Sequence, residues 1–195
     1  MEHGSVAPKQ ISCAALALAT LGLAGCGSAA HGGAPSAAQI TADLRGSPAP
    51  LAALHAQANK LLVGGAKAFR AELRALRGYP VVVNKWGSWC TPCRQEFPIF
   101  QQVGALDARR VAFIGDDVNE PSTSAGAAWL RRFPVSYPSY ADRSGAINEA
   151  LGPASASYTP VTYFYDAAGK QVFFHYGPYP SAASLEHDIR TYLGA

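Results

Sequence analysis

Cys90 and Cys93 are the residues of this chain whose type and spacing most plainly suit chemistry. They sit in the run Trp89-Cys90-Thr91-Pro92-Cys93, a few residues after the apolar stretch Val81-Val82-Val83. A buried strand that leads into a CxxC opening a helix presents two thiols able to close a small disulfide. At a helix N-terminus the unpaired backbone N–H groups and the macrodipole favour a thiolate on the first sulfur. The chemistry this arrangement predicts is electron exchange with the cysteines of other proteins. A competing reading makes the pair half of a metal site completed by His175 or His187. Two cysteines without a second ligand cluster do not make a ligand set, so no metal is expected.

The flanking elements must hold that pair in place. Val81–Asn84 reads as a strand, and a helix is expected from Thr91 to Val103, with Pro98 inside it removing one backbone bond and bending it. Upstream, 51–62 has helix-compatible residues, with a short strand over 60–63 as the rival reading. Gly64-Gly65 breaks the pattern. Ala66–Leu76 forms a better helix, with Phe69, Leu73 and Leu76 on one face. Downstream come a strand at Val111–Ile114, with Asp116-Asp117 at its end as solvated or capping groups, and a helix over 122–133 with Ser or Thr available as N-caps. A short strand at 137–140 and a short helix at 145–151 follow. Strands at Val161–Tyr165 and Gln171–Tyr176 close as a hairpin over Asp166–Gly169, and an amphipathic helix spans 181–193. Helix–strand alternation ending in a hairpin and a helix argues for an α/β sandwich around a mixed sheet.

The N-terminal part reads as a processing signal. Lys9 gives a weak basic start, Ile11–Leu23 is a short apolar stretch, and Leu23-Ala24-Gly25-Cys26 follows. The stretch is too short to span a bilayer comfortably, so a cleaved signal over 1–25 is expected. The Leu-Ala-Gly-Cys ending resembles the lipobox of bacterial lipoproteins, which implies diacylation of Cys26; two acyl chains give stable anchoring. An ordinary secretory signal with a chance cysteine is the alternative. Residues 26–50, rich in Gly, Ala, Ser and Pro, read as a flexible tether, and 51–195 as the folded domain. Cys13 leaves with the signal. Cys90 and Cys93 are then the free thiols of an exported chain, too close in sequence to staple a distant loop.

The 195 residues are enough for one domain plus appendages. The formal net charge of +3 is modest and the basic residues are dispersed, which argues against nucleic-acid binding. His3, His31, His55, His175 and His187 form no ligand pattern. There is no Gly-rich phosphate loop, nucleophilic Ser motif or paired catalytic carboxylates.

Val81–Phe100, VVVNKWGSWCTPCRQEFPIF, resembles the active-site segment of the thioredoxin fold, and more narrowly that of TlpA/ResA-like extracytoplasmic thiol–disulfide oxidoreductases. Asn84 stands where cytosolic thioredoxins bury an Asp, Trp86-Gly87-Ser88-Trp89 matches the aromatic lead-in, and Glu96 and Pro98 follow the second Cys as in that group. Tyr158-Thr159-Pro160 fits the family's cis-Pro element, and 119–151 its helix-containing insertion. The resemblance implies a thioredoxin-like three-layer sandwich with a TlpA-type insertion. It also implies a redox-active Cys90–Cys93 disulfide with no other cofactor.

On this reading Cys90 is the exposed attacking thiolate and Cys93, one turn in and more buried, resolves the mixed disulfide. Pro92 suits the first helical turn, and Thr91 lies in the dipeptide that tunes the potential. Glu96 assists proton movement near the sulfurs, against the plainer reading of a solvated carboxylate paired with an Arg. Pro160 faces the CxxC, and backbone at Thr159 receives a substrate strand. Trp86 packs in the core, while Trp89 flanks the thiol at the surface. The expected activity is reduction of disulfides in apocytochrome c or other exported proteins. By resemblance, a membrane electron carrier of the CcdA/DsbD type recharges the pair, and a lipid anchor holds the protein on the extracytoplasmic face of a bacterial membrane. Two other readings stay open: an oxidase inserting disulfides into secreted proteins, and a thioredoxin-fold metallochaperone. A thiol peroxidase is disfavoured because Gly87, three before Cys90, is not the Thr such enzymes place there.

Overall fold

A computed structural model describes residues 44–152 and 158–195, with isolated positions 1, 2, 4, 38, 40 and 42 before them. The chain divides into a short unit, Met1–Ala30, and a main unit, His31–Ala195. The expectations for His3, Cys13, Cys26, His31 and most of the signal and tether lie outside the described residues. Among the described residues no helix is long and apolar enough to cross a membrane.

In chain order the elements are α1 (Ala49–His55), β1 (Leu61–Leu62), α2 (Gly65–Ala75), β2 (Val81–Trp86), α3 (Thr91–Leu106), β3 (Ala112–Val118), α4 (Thr123–Arg132), β4 (Ser139–Asp142), α5 (Ala146–Ala150), β5 (Val161–Tyr165), β6 (Gln171–Tyr176) and α6 (Ala182–Asp188), which runs on as a π-helical turn at Ile189–Leu193. Both readings of 51–62 hold in part: α1 ends at His55 with Leu51 and Leu54 burying one face, and the strand covers only Leu61–Leu62. Val63 and Gly64 separate β1 from α2, and Gly64 and Gly65 both take positive φ where the helix begins.

One six-stranded mixed sheet runs in the order β1-β4-β3-β2-β5-β6. β2 lies at its centre, parallel to β3 and antiparallel to β5. Every residue of β2 and β3 is buried, as expected of strands covered on both faces. Side chains alternate between those faces. Val82, Phe113 and Phe164 pack with Phe97, Phe100, Leu130 and Leu185 from α3, α4 and α6. Val81, Val83, Ile114 and Tyr163 pack with Leu51, Leu54, Phe69 and Ile147 from α1, α2 and α5. The result is a three-layer α/β sandwich around a mixed sheet, with 119–151 supplying α4, β4 and α5.

β3 corrects one expectation. It continues four residues past Ile114, so Asp116 and Asp117 are not solvated end groups but are buried inside a paired strand. Asp116 lies in register between Lys85 on β2 and Tyr140 on β4. The helices covering both faces of the sheet shut these carboxyls off from water. Burial pushes both of them up, with the Asp142 carboxylate adding to the effect on Asp116 and the Lys85 ammonium opposing it. Asp117 is pushed to about 9 by burial and then by neighbouring Glu120.

Candidate active site

The turn from β2 into α3 builds the site. Gly87 follows the strand, and an added Cβ there would lie 2.5 Å from the Trp89 indole nitrogen, so only glycine lets the ring fold back this far. The Trp89 Nε1–H donates to the Val118 carbonyl at 3.1 Å while the side chain stays 47% exposed. Trp86 is buried edge-on against Phe97 at 5.2 Å, the packing role expected of it. Ser88 is gripped from the β3–α4 loop: its backbone N–H and its Oγ both donate to the Glu120 carboxylate, the latter at 2.8 Å.

Cys90 is the N-cap residue of α3, and the Cys93 N–H donates to its Sγ at 3.2 Å. Thr91 and Pro92 form the first turn, where the missing proline N–H costs no helical bond. Cys90 and Cys93 are joined as a disulfide, with Cα atoms 5.3 Å apart. Here a second expectation is corrected. Cys90 is not an exposed sulfur but only 3% exposed, nearly as closed as Cys93 at 1%. The reason is the opposing loop: Cys90 Sγ lies 3.7 Å from the Thr159 carbonyl oxygen, and the Thr159–Pro160 bond is cis. That loop is tied to β2 by Lys85, whose Nζ donates to the Tyr158 carbonyl at 2.7 Å. Burial lowers the Lys85 pKa, opposed by the Asp116 and Asp142 carboxylates.

Glu96, one turn beyond Cys93 on α3, is fully buried rather than a solvated acid paired with an Arg. One carboxyl oxygen accepts from Asn84 Nδ2 at 2.9 Å and the other from the Tyr179 N–H at 3.1 Å. Burial outweighs both bonds and raises its pKa to about 8. The Tyr179 hydroxyl in turn donates to Asp188 at 2.7 Å, and its ring stacks on His175 at 4.2 Å. The fold thus brings Trp89, Cys90, Thr91, Pro92, Cys93, Glu96, Thr159 and Pro160 to one end of β2. Sequence reasoning missed Lys85, Glu120 and Tyr179. A lysine inside an apolar strand was the one available signal; the other two act through contacts 32 and 83 residues away in sequence.

A disulfide capping a helix beside a cis-proline loop, on a mixed sheet covered by helices, defines a thioredoxin-like redox domain. The AhpC/TSA family model matches residues 48–172, and the chain belongs to that family. It is 31% identical over 104 residues to thiol-disulfide oxidoreductase ResA of Bacillus subtilis, covering 53% of this chain and 56% of that protein. It is 34% identical over 95 residues to thiol:disulfide interchange protein DsbE of Pseudomonas fluorescens, covering 48% and 49% respectively. The chain therefore spans about half the length of these curated relatives. A crystal structure of a thiol:disulfide interchange protein of the thioredoxin family from Chlorobium tepidum superposes with a TM-score of 0.56 at 26% identity, covering 62% of this chain and 84% of that one.

Proposed function

We propose that this protein is a membrane-tethered, extracytoplasmic thiol–disulfide oxidoreductase that works as a reductant of exported proteins, apocytochrome c among them. The observation that carries this reading is the Cys90–Cys93 disulfide at the N-terminus of α3, 3.7 Å from the Thr159 carbonyl. Thiol–disulfide chemistry in the named relatives supports it. The reduced pair attacks through Cys90: its thiolate displaces one client sulfur and forms a mixed disulfide. The Cys93 sulfur then attacks Cys90 Sγ, releases the second client sulfur and closes the Cys90–Cys93 bond. The client gains two electrons and two protons, and the pair loses the same. Glu96, with a pKa of about 8, holds or releases a proton near neutrality, so it serves as the local acid and base for these transfers. Thr159 backbone receives the client strand, Pro160 shapes that wall, and Trp89, Thr91 and Pro92 border the entrance. A dithiol carrier in the membrane, of the CcdA/DsbD type, returns the pair to the reduced state. Diacylated Cys26 supplies the tether.

Cys90→Ser is expected to bring insulin-disulfide reduction down to the uncatalysed rate, while Cys93→Ser accumulates a mixed disulfide with the client. Retained turnover in Cys90→Ser would remove this function. The potential of the couple sets the direction: a value well below that of glutathione is expected, whereas one near DsbA's would make the protein an oxidase instead.

A further inference from the structure

Between the start of α3 and α4 runs a groove lined by Ser88, two residues before Cys90, and by Arg94, Ala125, Ala128, Trp129 and Arg132. Arg94 lies four residues after Cys90, and its N–H donates to the Cys90 carbonyl at 3.1 Å. Cys90 is the N-cap of α3, so Arg94 ends the first turn of the helix that the disulfide caps. Arg94 Nε donates to the Ser88 carbonyl at 2.7 Å, and the guanidinium sits 5.5 Å from the centre of the Trp129 ring. Trp129 packs on Phe133 at 4.3 Å, and the Arg132 guanidinium lies 5.4 Å over Phe133. Two cations are therefore held at either end of an aromatic pair.

Nothing acidic answers them. Among the described residues neither Arg94 nor Arg132 makes an ion pair. The α4 sequence TSAGAAWLRR ends in two arginines and contains no carboxylate. The nearest acids in sequence, Glu96, Glu120 and Asp142, are buried, and Glu120 is committed to Ser88. Two alanines leave the middle of the groove open, and both guanidiniums are exposed.

We infer that this groove receives an acidic stretch of the client, with Asp or Glu side chains flanking the client cysteine. It thereby selects which disulfides reach Cys90. The inference rests on the oxidoreductase reading above and adds the client's chemistry to it. Fixed, unpaired cations beside a reacting sulfur raise the local concentration of anionic partners and speed their encounter, an effect that salt weakens.

The test uses the reduced protein and three fluorogenic peptide disulfides that differ only in the residues flanking the cysteine: Asp, Gln or Lys. The Asp peptide is expected to have a kcat/KM roughly tenfold above the Lys peptide, carried mainly by KM, with the gap closing between about 50 mM and about 500 mM salt. Arg132→Glu is expected to reverse the order. Arg70→Glu, the same charge change on α2, is expected to keep it. Equal kcat/KM for all three peptides overturns the inference, as does an equal effect of Arg70→Glu and Arg132→Glu. The salt series on the unmutated protein decides the matter if Arg132→Glu melts early. Failure to turn over even the Gln peptide would instead remove the oxidoreductase reading itself.

Discussion

Glu96 is the residue where the chemistry of the site and the stability of the fold meet. In the unfolded chain it titrates near 4.5, and in the folded protein near 8. Below about 4.5 both states are protonated and the shift has no effect on stability. Between those values the folded state holds a proton that the unfolded state has released, so stability falls as pH rises, and above 8 the loss is complete. At its largest the effect is on the order of 5 kcal/mol. Glu96→Gln keeps the shape but offers one acceptor oxygen to the two donors, Asn84 Nδ2 and the Tyr179 N–H, and it cannot ionise. It is expected to flatten this part of the pH–stability curve, read from denaturant midpoints at pH 5 and pH 8. The same variant should slow insulin reduction by about tenfold or more, since proton transfer then falls to water. A variant with wild-type pH dependence and wild-type rate would leave Glu96 with a packing role alone. Lys85 shows a related balance, since burial disfavours its charge while Asp116, Asp142 and the Tyr158 carbonyl favour it.

At the scale of elements, the site depends on β3 and α4 standing close together. An added Cβ at Gly126 would lie 2.1 Å from the Asp117 carboxyl, which is itself buried against the strand. Gly126→Ala therefore forces α4 away from β3 and disturbs Asp117 and Glu120, and through Glu120 the Ser88 backbone. A loss on the order of 1–3 kcal/mol is expected from urea unfolding. The hairpin that carries β5 and β6 behaves differently because its turn is local: the Lys170 N–H donates to the Asp166 carboxylate and Gly169 takes a positive φ. That local chemistry is why both strand limits could be read from the sequence without error. β3 could not be read in the same way. Two aspartates look like a strand end, and only pairing with β2 and β4 makes them part of the interior.

For the whole molecule, the proposed function places the chemistry at a membrane through a tether at Cys26. Cys26→Ala is expected to move the protein from the membrane fraction to the soluble extracytoplasmic fraction without altering insulin reduction. Unchanged membrane retention would dismiss the lipid anchor. Much of the architecture was legible beforehand because its signals are local. Val81–Val83 announced a buried strand, Thr91-Pro92 a helix start, Phe69 and Leu76 the buried face of α2, and the CxxC spacing the reactive pair with its likeness to a known redox family. What the tertiary structure alone decided is the environment of those groups. It closed Cys90 against the Thr159 carbonyl, buried Glu96 between Asn84 and Tyr179, and set Lys85 beneath the loop that faces the disulfide. Among the described residues it also left Arg94 and Arg132 without an acidic partner. Spacing along the chain determines which side chains share one helix or one strand face. Solvation and charge at a buried atom depend on neighbours from distant segments, and those meet only when the sheet and its covering helices assemble.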